Sequence, residues 1–118
     1  AYDCFVRENS QIPFMTMPDA INAILQIMSV PKKNLSQFVY NIRSFAPTAE
    51  EFQVKLMEFY PNAEIEYEVN EKRQKMVDGW PMDTDDSVAK KEWDWHPYHD
   101  LDKGLGEYLI PDLKLMYS

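Results

Sequence analysis

Three groups of side chains have the types and spacing to do chemistry. Asp83, Asp85 and Asp86 crowd three carboxylates into one short stretch, the hard oxygen donors that a divalent cation takes, although the glycine turn and distal glutamate of a calcium loop are missing. Adjacent acids ahead of a short helical stretch are also an ordinary helix cap. His96 and His99, beside Asp94 and Asp100, offer zinc-type ligands, but Pro97 breaks the helical spacing that would aim both imidazoles at one point. The third group is Trp80, set between Gly79 and Pro81 in a stretch without periodicity, together with Arg73. An aromatic on such a loop either plugs a core or closes over a ligand and excludes water. An arginine there either clasps a carboxylate through paired hydrogen bonds or braces the loop.

The elements that must position these groups alternate in type. After the apolar stretch Ile12 to Met17, Pro18-Asp19 supplies helix-start chemistry, and Ile21, Ile24, Leu25 and Met28 recur at helical spacing before Pro31 ends the run. Gln37 to Arg43 places Phe38, Tyr40 and Ile42 on one face at period two, which reads as a strand. Thr48 and Glu51 have the spacing of a capping box, and Ala49, Phe52, Leu56 and Phe59 then line a helix up to Pro61. Glu64 to Val69 alternates acid and apolar residue, a strand with one wet face. Asp85-Asp86-Ser87 opens a short helix through Lys91, and the Trp93/Trp95 pair is read as core that staples this helix to a sheet. Asp100 caps a last helix with Leu101, Leu105, Tyr108 and Leu109 inward, which Pro111 should end or kink. A few short strands with about four helices make an α/β unit, a small α+β-like lobe, in one domain over residues 1–118.

Composition bounds the function. A formal charge of −8 opposes the counterion release that drives binding to polyanions, so nucleic acid and anionic membranes are excluded as partners. No apolar window spans a bilayer and the first residues lack a secretory pattern, so the expected location is cytoplasmic. The single Cys4 has no partner for an internal disulfide and reads as a small packed residue. The chain starts at Ala1 in strand-like sequence without an initiator Met, which points to a fragment of a longer protein.

Arg73, Gln74, Trp80, Pro81, Asp85, Asp86, Ser87, Ala89, Trp93 and Trp95 fall into the pattern R-Q-x-x-x-x-x-W-P-x-x-x-D-D-S-x-A-x-x-x-W-x-W. This resembles the C-terminal signature of the NAD-dependent L-threonine 3-dehydrogenases, in the extended short-chain dehydrogenase/epimerase superfamily. The stretch Gln11 to Ala20 is similar to the family's L-P-M-M-Y-M-P-D-A, with Phe14 and Thr16 replacing Met and Tyr. Tyr40-Asn41-Ile42 matches Y-N-[LI], but Arg43-Ser44 stands where the family has small residues.

The resemblance implies the C-terminal, substrate-binding part of an NAD(P)-binding Rossmann-fold enzyme, which packs against the protein's own N-terminal dinucleotide-binding domain and leaves apolar surface open when alone. It also implies a homodimer in the full-length form and a small-molecule substrate, L-threonine, oxidised to 2-amino-3-oxobutanoate with NAD. Candidate substrate-binding residues are Trp80 as an apolar lid, Arg43 and Arg73 toward an anionic group, and Thr16 at the pocket. No catalytic, cofactor-binding or metal-binding residue is assigned within the chain. Gly79, Gly104 and Gly106 cannot build a pyrophosphate turn. The residues four after Tyr2, Tyr40, Tyr60, Tyr67, Tyr98 and Tyr108 are not lysines, and Tyr117 is too near the end for the family's Tyr-x-x-x-Lys. The isolated chain is therefore expected to be inactive. Two alternatives stand beside this reading: a nucleotide-sugar epimerase/dehydratase of the same superfamily, in which Arg43 and Arg73 would face a diphosphate, and a non-catalytic interaction module.

Overall fold

A computed structural model describes every residue from Ala1 to Ser118. Its one sheet has two parallel strands, β1 (Tyr2–Cys4) and β2 (Ile65–Tyr67), in the register Tyr2↔Ile65, Asp3↔Glu66 and Cys4↔Tyr67. In β2 the alternation works as the sequence pattern requires: Ile65 and Tyr67 are half-buried, while Glu64, Glu66 and Glu68 face solvent. Between these strands run α1 (Met17–Ser29), a 3-10 turn (Lys32–Asn34) and α2 (Ala49–Phe59). After β2 come α3 (Glu71–Asp78), α4 (Ser87–Trp93) and a final continuous helical run made of α5 (Leu101–Lys103), a π-helical stretch (Gly104–Leu109) and α6 (Ile110–Tyr117).

Local chemistry explains where most helices begin. The Thr48 hydroxyl accepts from the Glu51 N–H at 3.1 Å and the Glu51 carboxylate accepts from the Thr48 N–H at 2.9 Å, so the capping box of α2 is complete. Asp100 accepts from the Lys103 N–H at 2.9 Å and caps the last run. At α4 the cap differs in detail: Asp85 accepts from the Ser87 N–H, while Asp86 pairs with Lys90 at 2.9 Å one turn on. The helix ends on Asp94, which takes the left-handed conformation (φ 55°) and turns the chain back so that Trp95 packs 5.9 Å from Trp93. Trp95 is fully buried and, with Trp93, Ala23 and Ala89, forms the core, backed by Tyr40 and Ile42.

Three sequence expectations need correction. Gln37 to Arg43 is not a strand; it is extended, but from Phe38 to Arg43 no backbone N–H or C=O bonds to another backbone group. Its β-favouring residues have no strand in this chain to pair with, and Phe38 is wholly exposed. Second, α3 was not anticipated, because its long-range contacts are polar and give no apolar period; Asn70 caps it by accepting from the Arg73 N–H at 3.1 Å. Third, Leu109 is not inward. The π-helical stretch stacks residues five apart, so Ile110 rather than Leu109 follows Leu105 into the core. The same widened turn accommodates Pro111, which cannot donate to a regular helical ladder, and the helix continues through it.

The lobe is a slab of 52 × 35 × 19 Å with a Cα radius of gyration of 16.8 Å, against about 13.5 Å for a compact chain of this length. A slab this thin leaves large faces uncovered. The apolar stripe of α1 is the clearest case: Ile21, Ile24, Leu25 and Met28 all point outward, whereas its buried residues are Ala23 and Asp19.

Asp19, 1% exposed, ties the slab together. One carboxylate oxygen accepts from the Tyr98 N–H at 3.0 Å; the other accepts from the His99 N–H and the Ser44 hydroxyl, each at 3.0 Å. Loss of the carboxylate orphans three donors, two of them in buried bonds, so Asp19→Ala is expected to destabilise the fold by about 3–5 kcal/mol, read as the shift in urea midpoint. A shift under about 1 kcal/mol would show that the hub is dispensable.

A second clamp holds the unpaired segment. The Glu92 carboxylate accepts from the hydroxyls of Ser36 and Tyr40 and from the Ser36 N–H, and these bonds hold its pKa below the ordinary glutamate value. A carboxylate depressed in the folded state contributes stability that is present above its unfolded value and is lost as pH falls through the folded one. Stability of the wild type should therefore fall more steeply below about pH 4.5 than that of Glu92→Gln; parallel curves would remove Glu92 from this role.

Candidate functional site

The four candidate residues are distributed over two connected regions. Thr16 is buried at the N-terminus of α1, and its hydroxyl lies 2.8 Å from His99 Nδ1 rather than open to a ligand. It belongs to the Asp19 hub, where the His99 ring also packs against Tyr98 and Tyr108 at 4.9 and 6.0 Å. Gly104 lets the last helical run approach this cluster: a Cβ there would stand 3.1 Å from the Phe45 ring and 3.4 Å from the Thr16 methyl. Arg43 precedes Ser44, the residue bonded to Asp19, so the hub fixes the base of its side chain. Its Nε lies 3.0 Å from Asp83 Oδ1.

Arg73 lies on α3, with its guanidinium over the Phe5 ring at 4.8 Å. Its neighbour Gln74, which belongs to the R-Q of the sequence pattern but is given no role there, is 3% exposed. Gln74 accepts from the Arg7 N–H at 2.6 Å and donates to Ser10 and Asp78 at 2.9 and 2.7 Å, welding α3 to the segment after β1. Arg7 completes the weld with a 2.7 Å bridge to Asp78, and the two partners together hold the Asp78 carboxyl below its usual range. A buried glutamine serving backbone and side chains far away in sequence leaves no periodic signal.

Trp80 follows α3 directly and is half-exposed. With Met76 and Val77 it borders an apolar groove of about 420 Å³ whose other walls include Phe5, Phe14 and Phe52. Three residues further on, Asp83 reaches Arg43, so the Trp80 loop and the end of the unpaired segment are tied by one ion pair.

The remaining polar clusters resolve into separate local contacts. Asp83, Asp85 and Asp86 serve Arg43, Ser87 and Lys90 respectively, and bonding to Ser87 holds Asp85 below the ordinary carboxylate range. His96 is exposed and pairs with Asp94 at 3.0 Å, while His99 is buried in the hub. No group of three or more His, Cys, Asp or Glu side chains is placed to hold a metal ion. Nor do the glycines suit a dinucleotide: Gly79 caps the end of α3, and Gly104 and Gly106 pack inside the last helical run. No helix is long and apolar enough to cross a membrane.

No family model matches the chain. It is 35% identical over 101 residues to the mitochondrial L-threonine 3-dehydrogenase of Bos taurus, covering 86% of this chain and 26% of that protein. An uncharacterised epimerase/dehydratase of Staphylococcus saprophyticus is 34% identical over 101 residues, 85% of this chain and 32% of its own length. Among solved structures, the GalE-like L-threonine dehydrogenase from Cupriavidus necator superposes with a TM-score of 0.86 at 35% identity, over 93% of this chain and 36% of that one. The chain thus spans about a quarter to a third of the length of these relatives. Over nearly all of its own length, it is homologous to L-threonine 3-dehydrogenase and epimerase/dehydratase proteins, with the α/β architecture of the C-terminal part of a GalE-like threonine dehydrogenase.

Proposed function

We propose that this chain is the substrate-binding lobe of an NAD-dependent oxidoreductase that oxidises L-threonine to 2-amino-3-oxobutanoate, and that it works against a dinucleotide-binding domain of the same protein. The observation that carries this reading is the bare segment Phe38 to Arg43, taken together with the outward stripe of α1. Phe38 and Val39 point to opposite faces of an extended chain, and both are exposed, at 100% and 77%. A strand apolar on both faces suits a sheet covered on both sides, which is the doubly wound dinucleotide-binding architecture. The bare segment follows α1 in the chain, as a strand follows the crossover helix that covers one face of its sheet, while the stretch before α1 instead pairs antiparallel with residues 45–48.

Within this reading Trp80 closes over the substrate from a loop pinned by Arg43 and Asp83, Thr16 positions the pocket through His99, and Arg73 braces α3. The chain's own residues do not fit the pyrophosphate of NAD, so cofactor binding falls to the partner domain. The similarity to named threonine dehydrogenases at about one-third identity supports L-threonine over a nucleotide sugar.

Two measurements test the reading. Full-length protein given L-threonine should form NADH, with no comparable rate from a UDP-sugar, whereas the 118-residue chain alone should form none. Activity in the isolated chain, or silence of the full-length protein with threonine, would overturn it. Hydrogen exchange should show the amides of Phe38, Val39 and Asn41 protected in the full-length protein and fast in the isolated chain; equal, fast exchange in both would mean that this segment joins no sheet.

A further inference from the structure

We propose that Arg43 is a specificity-determining residue that binds an anionic oxygen group of the substrate. The inference rests on the placement argued above, in which Phe38 to Arg43 is a strand of an open α/β sheet. Ligands of such sheets bind at the carboxyl ends of the strands, and Arg43 is the last residue of this one.

The state of its side chain carries the rest. A guanidinium has five N–H donors, and none of those on Arg43 makes an aligned hydrogen bond in this structure. Its Nε is buried and only 3.0 Å from Asp83 Oδ1, yet the N–H does not point at that oxygen; the contact is one of charge. The only ion pair of the guanidinium is the one with Asp83. The other arginines are committed, Arg7 to Asp78 and Arg73 to the face of Phe5. About a third of the Arg43 side chain is open, which gives its fork a route to solvent.

The base of the side chain is fixed in advance. Ser44 is bonded to Asp19 through its hydroxyl, and the N–H groups of Ser44 and Phe45 donate to the Phe14 carbonyl at 3.0 and 3.2 Å. A planar fork on a rigid base matches two oxygens of a carboxylate or a phosphate. The acids of the neighbouring loop do not fill it, since Asp85 and Asp86 are engaged with Ser87 and Lys90. Asp83 alone competes. Because Asp83 lies on the loop that carries Trp80, an anion drawing the guanidinium away from it also alters the tether of that loop.

The test uses full-length protein with acetate and inorganic phosphate as probes, read by thermal shift at constant ionic strength. Saturable stabilisation by one probe is expected in the wild type. Arg43→Ala should bind it roughly tenfold or more weakly, Arg43→Lys should recover part, and Asp83→Asn should bind it more tightly. Preference for acetate assigns a carboxylate substrate; preference for phosphate assigns a phosphorylated one. Equal binding by wild type and Arg43→Ala, or no binding of either probe to the wild type, overturns the proposal. Threonine-dependent NADH formation is a separate readout, with KM raised and kcat retained in Arg43→Ala. Turnover with unchanged KM in Arg43→Ala sinks this inference alone, whereas Arg43-dependent anion binding without turnover sinks the dehydrogenase reading alone.

Discussion

A buried carboxylate organises this lobe. Asp19 opens α1, yet it serves donors far away in sequence: the Ser44 hydroxyl and the backbone N–H groups of Tyr98 and His99. Burying a charge is costly unless hydrogen bonds replace the lost water, and three donors on two oxygens supply that replacement. The arrangement solves a backbone problem as much as a side-chain one. Where the 98–99 segment passes beneath α1, its N–H groups cannot reach a ladder partner, and buried donors left unpaired would each cost a few kcal/mol. One carboxylate satisfies both, and by taking Ser44 as well it sets where the extended segment stops and the chain turns toward α2.

The consequences spread outward from that point. His99, fixed through its N–H, presents its ring to Thr16, Tyr98 and Tyr108, and so seats the last helical run against α1. Gly104 permits the approach, and the π-helical stretch rotates Ile110 into the core in time for Pro111. On the opposite side, Gln74 does for α3 what Asp19 does for the centre, with Arg7 and Asp78 as its outer bond. Polar joints of this kind hold loops to helices over a core in which only six apolar residues are buried, so the slab's order depends more on directed bonds than on apolar mass.

How much of this was legible in the sequence follows from the range of each interaction. The Thr48/Glu51 box, the Asp100 cap and the alternation around Ile65 and Tyr67 are local and were read correctly, because their physics lies within a few residues. The pairing of Trp93 with Trp95 was legible from their size and spacing. Asp19 was readable only as a helix start, since its real partners are some 25 and 80 residues away. α3 left no trace because Gln74 makes polar contacts without periodicity, and Leu109 was misplaced because a 3.6-residue period cannot anticipate a π-helical turn. The Phe38 to Arg43 segment has strand chemistry without a strand partner in this chain. Of the candidate site, the loop of Trp80 is tied to Arg43 through Asp83, Thr16 is absorbed by His99, and Arg73 lies over Phe5.

The same contacts bear on which kind of work the lobe is built for. A tyrosine acting as an acid/base needs a depressed pKa, which a nearby cation bonded to its oxygen can provide. Here the phenols are turned to other ends. Tyr67 donates to Gln53 at 2.8 Å, and burial, with the acidic groups around it, raises its pKa, the wrong direction for a base. Tyr40 is spent on Glu92, and Tyr108 packs on His99. Lys103 and Lys114 approach Tyr98 and Tyr60 over the ring faces, at 4.8 and 5.9 Å, where a cation interacts with the aromatic quadrupole rather than with the phenolic oxygen. What the lobe does offer is geometry: an arginine fork on a fixed base, an aromatic loop tethered to it, and an apolar strand and helix face without a covering. In the reading proposed above, those are the parts that would grip and orient a substrate.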